Sequence, residues 1–426
     1  MLLGNSHGSS CHEGCREQRP GVNIAVAIGG LAFLILIHEA GHFFVARAVR
    51  MRPRKFYVFF PPVLLRKTHK GIEYGLGAIP LGGYVKIPGM HRPAARDLDS
   101  QFRASVDEAP AIGMAVEDVK DSLEADRFDE ARTRLGEIER AMRRAHLSDG
   151  ARRGATRALT DLDDGLSDDA YWRAAAWKRI ALIAAGPVTN LLFAVAMLAT
   201  LFAVGVPVGA TRVVDEVVLG TPAQTMGLQA GDEVLAVDSV PTPSFDEVSA
   251  AIRGSGGEPI TLTVGRGEET VVLGPARAEQ SDGRLRLGFV PGLLYESSSP
   301  GRSITQAFDR TGEVTVAIGE SLGRIVSGGN RDDLATPIGI VQVSSQVAEQ
   351  DYRAFLEILA LISLSLALLN LLPLLPLDGG HILFSVLERI RRRAIPREAY
   401  ERASAIGIAL VLLLFVIGLS NDIGRL

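Results

Sequence analysis

Two histidines and a glutamate lie within one helical turn of each other, in the motif His38-Glu39-Ala40-Gly41-His42. Residues i and i+4 of a helix share a face, so the imidazoles of His38 and His42 can bind one Zn²⁺ together. Glu39 can reach water activated by that metal and act as general base. The motif therefore predicts a zinc hydrolase site on a helix, and an ordinary pair of buried helix histidines is the weaker interpretation because the motif lies in an apolar run.

A third metal ligand is predicted near the other end of the chain. Asp378 follows a long apolar run, and a carboxylate at membrane depth is costly unless it has a partner. A zinc centre with two histidines lacks one protein ligand, which Asp378 can supply. Pro373 and Pro376 interrupt the helix before it, and Gly379 and Gly380 allow the backbone to approach the metal closely.

Four uncharged runs are long enough to cross a bilayer, and a hydrophobic content of 47% indicates a membrane protein. Arg and Lys clusters follow the first run, precede the second and separate the third from the fourth, so the positive-inside rule places all three clusters in the cytoplasm. The N-terminus and the region 212–350 are then outside, and the histidines lie nearer the cytoplasm. A net charge of only −4 gives no reason to expect a nucleic-acid partner.

The segment after the first run carries repeated glycines and alternating apolar residues, which indicates strands. Non-helical backbone near a membrane must be covered by protein or line a cavity, so we expect these strands to flank the zinc site. Residues 91–170 differ, with 13 basic and 19 acidic side chains and apolar residues at helical spacing. We expect a cytoplasmic helical hairpin followed by a polar linker, which a solvated spacer would also explain.

Residues 212–292 alternate short β-rich pieces with two helical stretches, an order typical of PDZ domains of bacterial proteases. Such a domain binds the end of a peptide chain by adding it to a sheet edge, or it could simply limit access to the membrane site. The first 20 residues are polar and rich in Gly and Ser, so we expect a disordered tail. Cys11 and Cys15 in that tail could form a disulfide or a stray metal site.

These features predict a polytopic α-helical membrane protein with four transmembrane helices, a membrane-associated β-hairpin or re-entrant region and an inserted PDZ-like α+β domain. In chain order the expected segments are an extracytoplasmic tail 1–20, transmembrane helix 21–50, a membrane-associated β region 56–90, a cytoplasmic charged helical insert 91–170, transmembrane helix 178–208, an extracytoplasmic PDZ-like domain 212–292, an extracytoplasmic linker 293–353, transmembrane helix 354–380, a cytoplasmic basic loop 381–402 and transmembrane helix 403–421.

The motif pair HEAGH and NLLPLLPLDGGH, in this order and in these spans, resembles the site-2 protease family of intramembrane zinc metalloproteases and is similar to the regulator-of-sigma-E protease branch. Further matches are GAIPLGGYVK at 77–86 and AGPVTN at 185–190. The resemblance covers about residues 22–90 and 171–420. The insert is longer than we expect for the family, and some relatives carry two PDZ-like units where this chain has one.

The resemblance implies one Zn²⁺ per chain held by His38, His42 and Asp378, with Glu39 as the catalytic base. It implies that Asn370 helps to hold the substrate backbone or the developing oxyanion. It also implies that Gly82 and Gly83 lie in a loop that pairs with an unwound substrate, and that Gly186, Pro187 and Asn190 form a packing motif beside the active site. The strand edge that continues through Tyr84 and Val85 would stabilise the extended substrate by pairing with it.

The implied function is hydrolysis of a peptide bond inside the bilayer of the bacterial inner, or plasma, membrane. The expected substrate is a single-span protein already shortened by another protease, with an anti-sigma factor as the leading candidate. Two other hypotheses stay open. A metal transporter would need several ionisable groups along a path, and an inactive scaffold would have no use for Glu39 beside the ligands.

Overall fold

The computed structural model describes residues 20–281, 284–326, 344 and 352–424, so the expected tail with Cys11 and Cys15 lies outside the described residues. The elements are, in chain order, α1 (Pro20–Ala48), β1 (Lys55–His69), β2 (Ile72–Lys86), α2 (Ala95–Glu108), α3 (Pro110–Glu124), α4 (Phe128–Arg144), α5 (Asp149–Leu166), a 3₁₀ turn (Tyr171–Arg173), α6 (Ala176–Val204), β3 (Val206–Val217), α7 (Pro222–Thr225), β4 (Glu233–Val237), β5 (Val240–Pro241), α8 (Phe245–Gly254), β6 (Pro259–Arg266), β7 (Glu269–Arg277), β8 (Glu279–Ser281), β9 (Arg284–Arg286), β10 (Phe289–Glu296), α9 (Pro300–Val326), α10 (Tyr352–Asn370), α11 (Asp378–Arg391) and α12 (Arg397–Gly424).

Within the described residues, four helices are long and apolar enough to cross a membrane: Ile24–Ala48, Ala176–Val204, Tyr352–Asn370 and Glu398–Ser420. Many of their large apolar side chains are exposed, among them Ile24, Leu192 and Leu412. Such side chains are stable in contact with lipid, and a helix satisfies its own backbone hydrogen bonds there. The multi-pass α-helical class is therefore confirmed.

The third span ends earlier than the sequence predicted. Its helix stops at Asn370, and the chain then makes a tight turn before Asp378 begins a new helix. Consequently Asp378 is not at the end of a span that continues to residue 380, and much of the expected basic loop 381–402 is helical, in α11. The two prolines of the turn explain the break, because proline cannot continue the hydrogen-bond pattern of a helix.

Strands β1 and β2 are both bent, and the first part of β1 pairs on both of its sides. Val58 lies opposite Leu76 on one side and opposite Gly83 on the other. The stretch Gly83–Lys86 thus borders β1 along one edge, and no strand among the described residues pairs with its other edge. This part of the chain presents an open strand edge.

The charged insert contains four packed helices, α2 to α5, where we expected a hairpin followed by a linker. Leu98, Ile112, Ile138 and Leu166 are fully buried in its own apolar core. Ion pairs join the insert to the strand region: the guanidinium of Arg54 donates to Asp164 at 2.7 Å and to Asp169 at 3.1 Å. Lys86 Nζ donates to Asp161 at 2.7 Å. A solvated spacer does not describe such a segment.

The chain divides into two compact units, of which the second covers Leu198–Phe308. In it six strands form a sheet of order β10-β3-β4-β6-β7, with β5 paired to β4, and β8 and β9 form a separate two-stranded sheet. Helices α7 and α8 contribute Ala223, Val248 and Ile252 to the buried apolar core of this unit. The sheet extends beyond the expected 212–292, since β3 begins at Val206 and β10 ends at Glu296. The expected linker contains a helix, α9.

One buried ion pair in the second unit makes its stability depend on pH. Asp232 is buried, and Arg266 donates to both of its carboxylate oxygens at 2.8 Å. The Arg266 guanidinium holds the pKa of Asp232 below its usual range. A carboxyl with a lowered folded-state pKa stabilises the fold above its unfolded pKa, and this contribution disappears as the pH falls through the folded value.

We therefore expect Asp232→Asn to destabilise this unit at pH 7, with a difference from wild type that shrinks progressively below about pH 4. Hydrogen exchange of the core amides of Val234 and Val264 checks this expectation. It is measured in the intact protein at pH 7 and again below about pH 4. Asp246→Asn in α8 is the matched control, which should change exchange little at either pH. A deficit of Asp232→Asn that is the same at both pH values would contradict the expectation.

Candidate metal centre

Helix α1 places two histidines one turn apart and buries both. His38 and His42 are each 8% exposed, and their Nε2 atoms lie 3.2 Å apart. The helix continues to Ala48, where Arg47 lies in the last turn. The predicted i, i+4 geometry is therefore present, with both Nε2 atoms directed to one point.

Asp378 reaches the same point from the start of α11. Its Oδ2 atom lies 3.3 Å from Nε2 of His38 and 3.4 Å from Nε2 of His42. The turn before it is tight: the Leu377 N–H donates to the Leu374 carbonyl at 2.8 Å. A Cβ atom on Gly379 would collide with the backbone carbonyls of Leu371 and Leu372. Glycine is therefore required next to the carboxylate.

The three atoms form a triangle that fits a metal ion. Ligand atoms about 2.0–2.1 Å from a tetrahedral Zn²⁺ lie roughly 3.3 Å apart, which matches the three observed separations. Oδ2 of Asp378 is buried and accepts no hydrogen bond. Two imidazoles and one carboxylate are a donor set that zinc prefers, and a tetrahedral ion would keep its fourth position for water. Of the described residues, only this His, Cys, Asp or Glu group could hold a metal ion.

Hydrogen bonds on the far sides of the rings fix how the histidines present their lone pairs. Nδ1 of His42 donates to the Leu182 carbonyl at 2.9 Å, so its Nε2 is free to bind a metal. The buried amide of Asn190 lies 3.4 Å from Nδ1 of His38. In the amide orientation that offers Oδ1, it accepts from Nδ1–H and frees Nε2 of His38 in the same way.

Helix α6 approaches α1 closely because glycines line the contact. A Cβ atom on Gly41 would lie 2.5 Å from Oγ1 of Thr189 and 2.6 Å from the Ala185 carbonyl oxygen. A Cβ atom on Gly186 would lie 2.8 Å from Nε2 of His38 and still closer to Nε2 of His42. The predicted packing motif thus has a direct steric connection to the metal centre. Its second member, Pro187, lies inside α6.

Glu39 lies beside the histidines and packs against Gly83 of β2. Its carboxyl group is near enough to His38, His42 and Asp378 to interact electrostatically with all three. A Cβ atom on Gly83 would lie 2.8 Å from Cγ of Glu39. The strand that the sequence predicted to flank the site therefore reaches the predicted base.

The structure places the expected substrate-binding residues in two separate elements. Gly83, Tyr84 and Val85 lie in β2, opposite Val58, Tyr57 and Phe56 of β1. Gly82 precedes them, and a Cβ atom there would lie 2.6 Å from the Phe60 ring. Asn370 is the last residue of α10 and is half-buried. The roles assigned to these residues stay predictions.

Sequence reasoning missed two partners of the histidines. The Leu182 carbonyl has no sequence signal, because every residue supplies a carbonyl. Asn190 belonged to the expected packing motif, and its position opposite His38 Nδ1 depends on how α6 packs against α1. A buried amide in an apolar span could have suggested a polar partner, since such groups need hydrogen bonds.

The family model for peptidase family M50 matches residues 26–414. The chain belongs to peptidase family M50. A protein of Agrobacterium fabrum named as a zinc metalloprotease is 30% identical over 411 residues, covering 93% of this chain and 94% of that protein. A Lactococcus lactis protein with the same kind of name is 28% identical, with coverages of 92% and 96%. A third, from Campylobacter jejuni, is 26% identical, with coverages of 93% and 92%.

Family membership confirms the resemblance to site-2 proteases and the enzyme class, a metalloendopeptidase. The zinc prediction agrees with the names of these relatives and with the His-His-Asp group. A transporter would need further ionisable groups along a path, and the described residues offer one compact cluster. The inactive-scaffold hypothesis is disfavoured by an intact Glu39 beside the ligand set.

Proposed function

We propose that the chain is an intramembrane zinc endopeptidase that cuts a peptide bond within the transmembrane segment of a single-span membrane protein. The observation that carries this proposal is the Nε2, Nε2, Oδ2 triangle of His38, His42 and Asp378 beside Glu39. The first two ligands lie on a helix apolar enough to span a membrane. Peptide hydrolysis at that depth requires a substrate that enters from the bilayer.

In the proposed mechanism, each residue of the site has one role. Zn²⁺, when bound, supplies a Lewis acid that polarises the peptide carbonyl and activates water. The Glu39 carboxylate takes a proton from the attacking water and later passes it to the leaving amine. The amide of Asn370 would hold the substrate backbone or the oxyanion. The Leu182 carbonyl and Asn190 keep the two imidazoles in their binding tautomers.

A transmembrane helix hides its carbonyls in its own hydrogen bonds, so the substrate must unwind before it is cut. The open edge of Gly83–Lys86 offers backbone groups that could pair with the extended form. The packing of Gly83 against Glu39 supports this role, because a strand added along that edge would lie only about 4.8 Å from the strand that contacts the base. Gly82, Tyr84 and Val85 would belong to the same binding edge.

The second unit would act as a PDZ-like filter on the outside. A groove of about 330 Å³ lies between α8 and the stretch Leu285–Val290. Phe245, Ile252 and Phe289 give it apolar walls, and Arg253 gives it a positive charge. That combination suits the C-terminus of a peptide, which carries a carboxylate beside an apolar side chain. Steric gating of the membrane site is compatible with the same fold.

The proposed setting is a bacterial inner membrane, with the N-terminus and the second unit outside and the metal centre towards the cytoplasm. The basic clusters support this orientation through the positive-inside rule. Regulated proteolysis of a pre-trimmed anti-sigma factor, or of a similar single-span regulator, is the physiological reaction that we propose.

Product mapping tests the proposed function. Purified protein is reconstituted in liposomes with a single-span reporter, and the ends of the products are determined by mass spectrometry. We expect a cut inside the apolar segment, sensitive to a zinc chelator and missing with Glu39→Gln. Cleavage only in the soluble parts of the reporter would contradict intramembrane hydrolysis. A reporter with a proline-rich apolar segment, which unwinds more easily, should be cut faster.

A further inference from the structure

A small cavity of about 270 Å³, whose lining contains no residue of the metal centre, lies within the unit that contains most of the spans. Its lining comes from the loop after β2, the 3₁₀ turn, the first turns of α6 and α12, the end of α11 and the loop that follows α11. The lining residues include Trp172, Arg179, Glu388, Arg392, Arg393 and Tyr400. We call this the basic cavity.

The basic cavity lies where two spans begin. Arg179 is in the first turn of Ala176–Val204, and Tyr400 is in the first turn of Arg397–Gly424. Both helices are apolar enough to cross a membrane, so their first turns mark its polar boundary. Helix N-termini carry a partial positive charge, and two of them meet at this cavity. Aromatic side chains such as Trp172 and Tyr400 are also frequent at that depth.

Among the described residues, Glu388 is the only acidic side chain in the lining of the basic cavity, and it cannot neutralise all the arginines there. Both carboxylate oxygens of Glu388 are engaged, since one accepts from Arg179 at 2.6 Å and the other from the Ile395 N–H at 3.0 Å. Arg179 Nε is nevertheless buried and has no acceptor. Arg392 and Arg393 are exposed and have no acidic partner among the residues that the structure describes. The cavity therefore has unused donors and unbalanced charge.

The backbone of Arg392 gives independent support. Its φ of 52° places it in the left-handed region at the end of α11, where helices usually have glycine. The chain carries an arginine there despite the conformational cost. Strained backbone conformations of this kind are often found where the side chain has a functional role.

We propose that the basic cavity binds the phosphate group of an anionic phospholipid headgroup. Drug-sized ligands need pockets of roughly 300–1,000 Å³, so this cavity suits a smaller group. Guanidinium groups pair with phosphate oxygens through parallel hydrogen bonds, and Arg392 and Arg393 are available to do so. Basic pockets between spans on the cytoplasmic side bind lipid headgroups by the same chemistry. A free phosphate ester shares that chemistry but would not bring an acyl chain alongside the spans.

Four neighbouring arginines allow a charge-matched test on the full-length protein. The double variant Arg392→Gln/Arg393→Gln removes two charges from the basic cavity, and Arg389→Gln/Arg391→Gln removes two from α11 outside its lining. Each protein is placed in nanodiscs that contain phosphatidylglycerol and phosphatidylcholine, and the lipids that remain bound are counted by native mass spectrometry. Thermal unfolding is followed in the presence of inorganic phosphate or glycerol 3-phosphate as separate arms.

We expect wild type to retain phosphatidylglycerol selectively and the cavity variant to lose at least about tenfold of that preference, since a direct hydrogen bond between a guanidinium and a phosphate oxygen contributes roughly tenfold or more. The control variant should keep it. Ala394→Glu, which adds a negative charge to the lining and removes no arginine, should reproduce the loss if the double variant fails to fold. Equal losses in the cavity and control variants, or no preference in wild type, would overturn the proposal. Saturation by inorganic phosphate or glycerol 3-phosphate without lipid selectivity would overturn the lipid assignment.

Discussion

Glu39→Gln will lower the rate of peptide hydrolysis about 10²–10⁴-fold, the usual contribution of a general base. Glutamine has nearly the same shape as glutamate but cannot take a proton from water. The metal should stay bound at the wild-type level, because the three atoms directed at the ion belong to His38, His42 and Asp378. Single-turnover cleavage of the reconstituted reporter, together with zinc content of the same preparation, measures both quantities.

Two comparison variants make this result specific. Asp378→Ala removes a member of the triangle, so it should lower zinc content as well as activity. Glu137→Gln, on the exposed face of α4, removes the same charge far along the chain and should leave both unchanged. If Glu39→Gln retained wild-type activity, Glu39 would not be the base. If it lost its zinc, Glu39 would be a ligand.

The part of the site on α1 was predictable because the spacing of residues along a helix determines which side chains share a face. His38, Glu39 and His42 needed only the periodicity of 3.6 residues. Asp378 was predictable for a different reason, since an unpaired carboxylate after an apolar run is unstable and the zinc lacked a ligand. Both predictions are independent of where α6 lies. The roles of Leu182, Gly186 and Asn190 therefore appear only once α1 and α6 are packed together.

Hydropathy alone identified the four spans, because a bilayer demands about 20 apolar residues whatever the remaining fold. It failed at the end of the third span, where Leu371–Leu377 stays apolar although the helix has already stopped. The apolar composition there reflects the environment, and the prolines determine the conformation. The positions of the prolines, taken separately from the apolar composition, predict that the span ends near Asn370.

The insert shows why a charged helix can be mistaken for a linker. The buried face of α5 includes Ala151, Ala155 and Ala158, and only Leu162 and Leu166 are large. Alanine contributes little to a hydrophobic pattern, yet it is the best helix former and allows close packing. Ser148 also caps this helix, since its Oγ accepts from the Ala151 N–H at 3.3 Å. That cap signal was available in the sequence.

The double pairing of β1 was beyond sequence reasoning for a related cause. Alternating residues and glycines predict strands but leave their register open. In the structure, Val58 lies between Leu76 and Gly83, so one short strand borders two parts of β2. Gly83 packs against Glu39, which places this part of β2 beside the metal centre. Tertiary packing, and not local propensity, selects that arrangement.

Gly186 faces the imidazoles of His38 and His42 from α6, and a side chain there has no room. A Cβ atom would lie 2.8 Å from Nε2 and Cε1 of His38 and closer still to Nε2 of His42. Ordinary contacts of a Cβ atom are 3.4 Å or longer, so one ring or one helix must move. The rings cannot move freely because Leu182 and Asn190 hold their other nitrogen atoms. Gly41 keeps α6 close to α1 by the same steric argument.

Gly186→Ala should therefore lower zinc affinity on the order of 100-fold, which is the upper end of the effects known for residues that surround metal ligands. The rate of proteolysis should fall with the zinc affinity. Zinc retention against a graded chelator series and cleavage of the reporter measure the two effects. Gly29→Ala in α1 is the matched control, since a Cβ atom there meets nothing within 4 Å. Alanine favours helices over glycine, so Gly186→Ala should not unfold α6, and thermal unfolding of the metal-free protein checks this. Wild-type zinc affinity in Gly186→Ala would show that α6 can retreat from the imidazoles, and the metal centre would then depend on α1 and α11 alone.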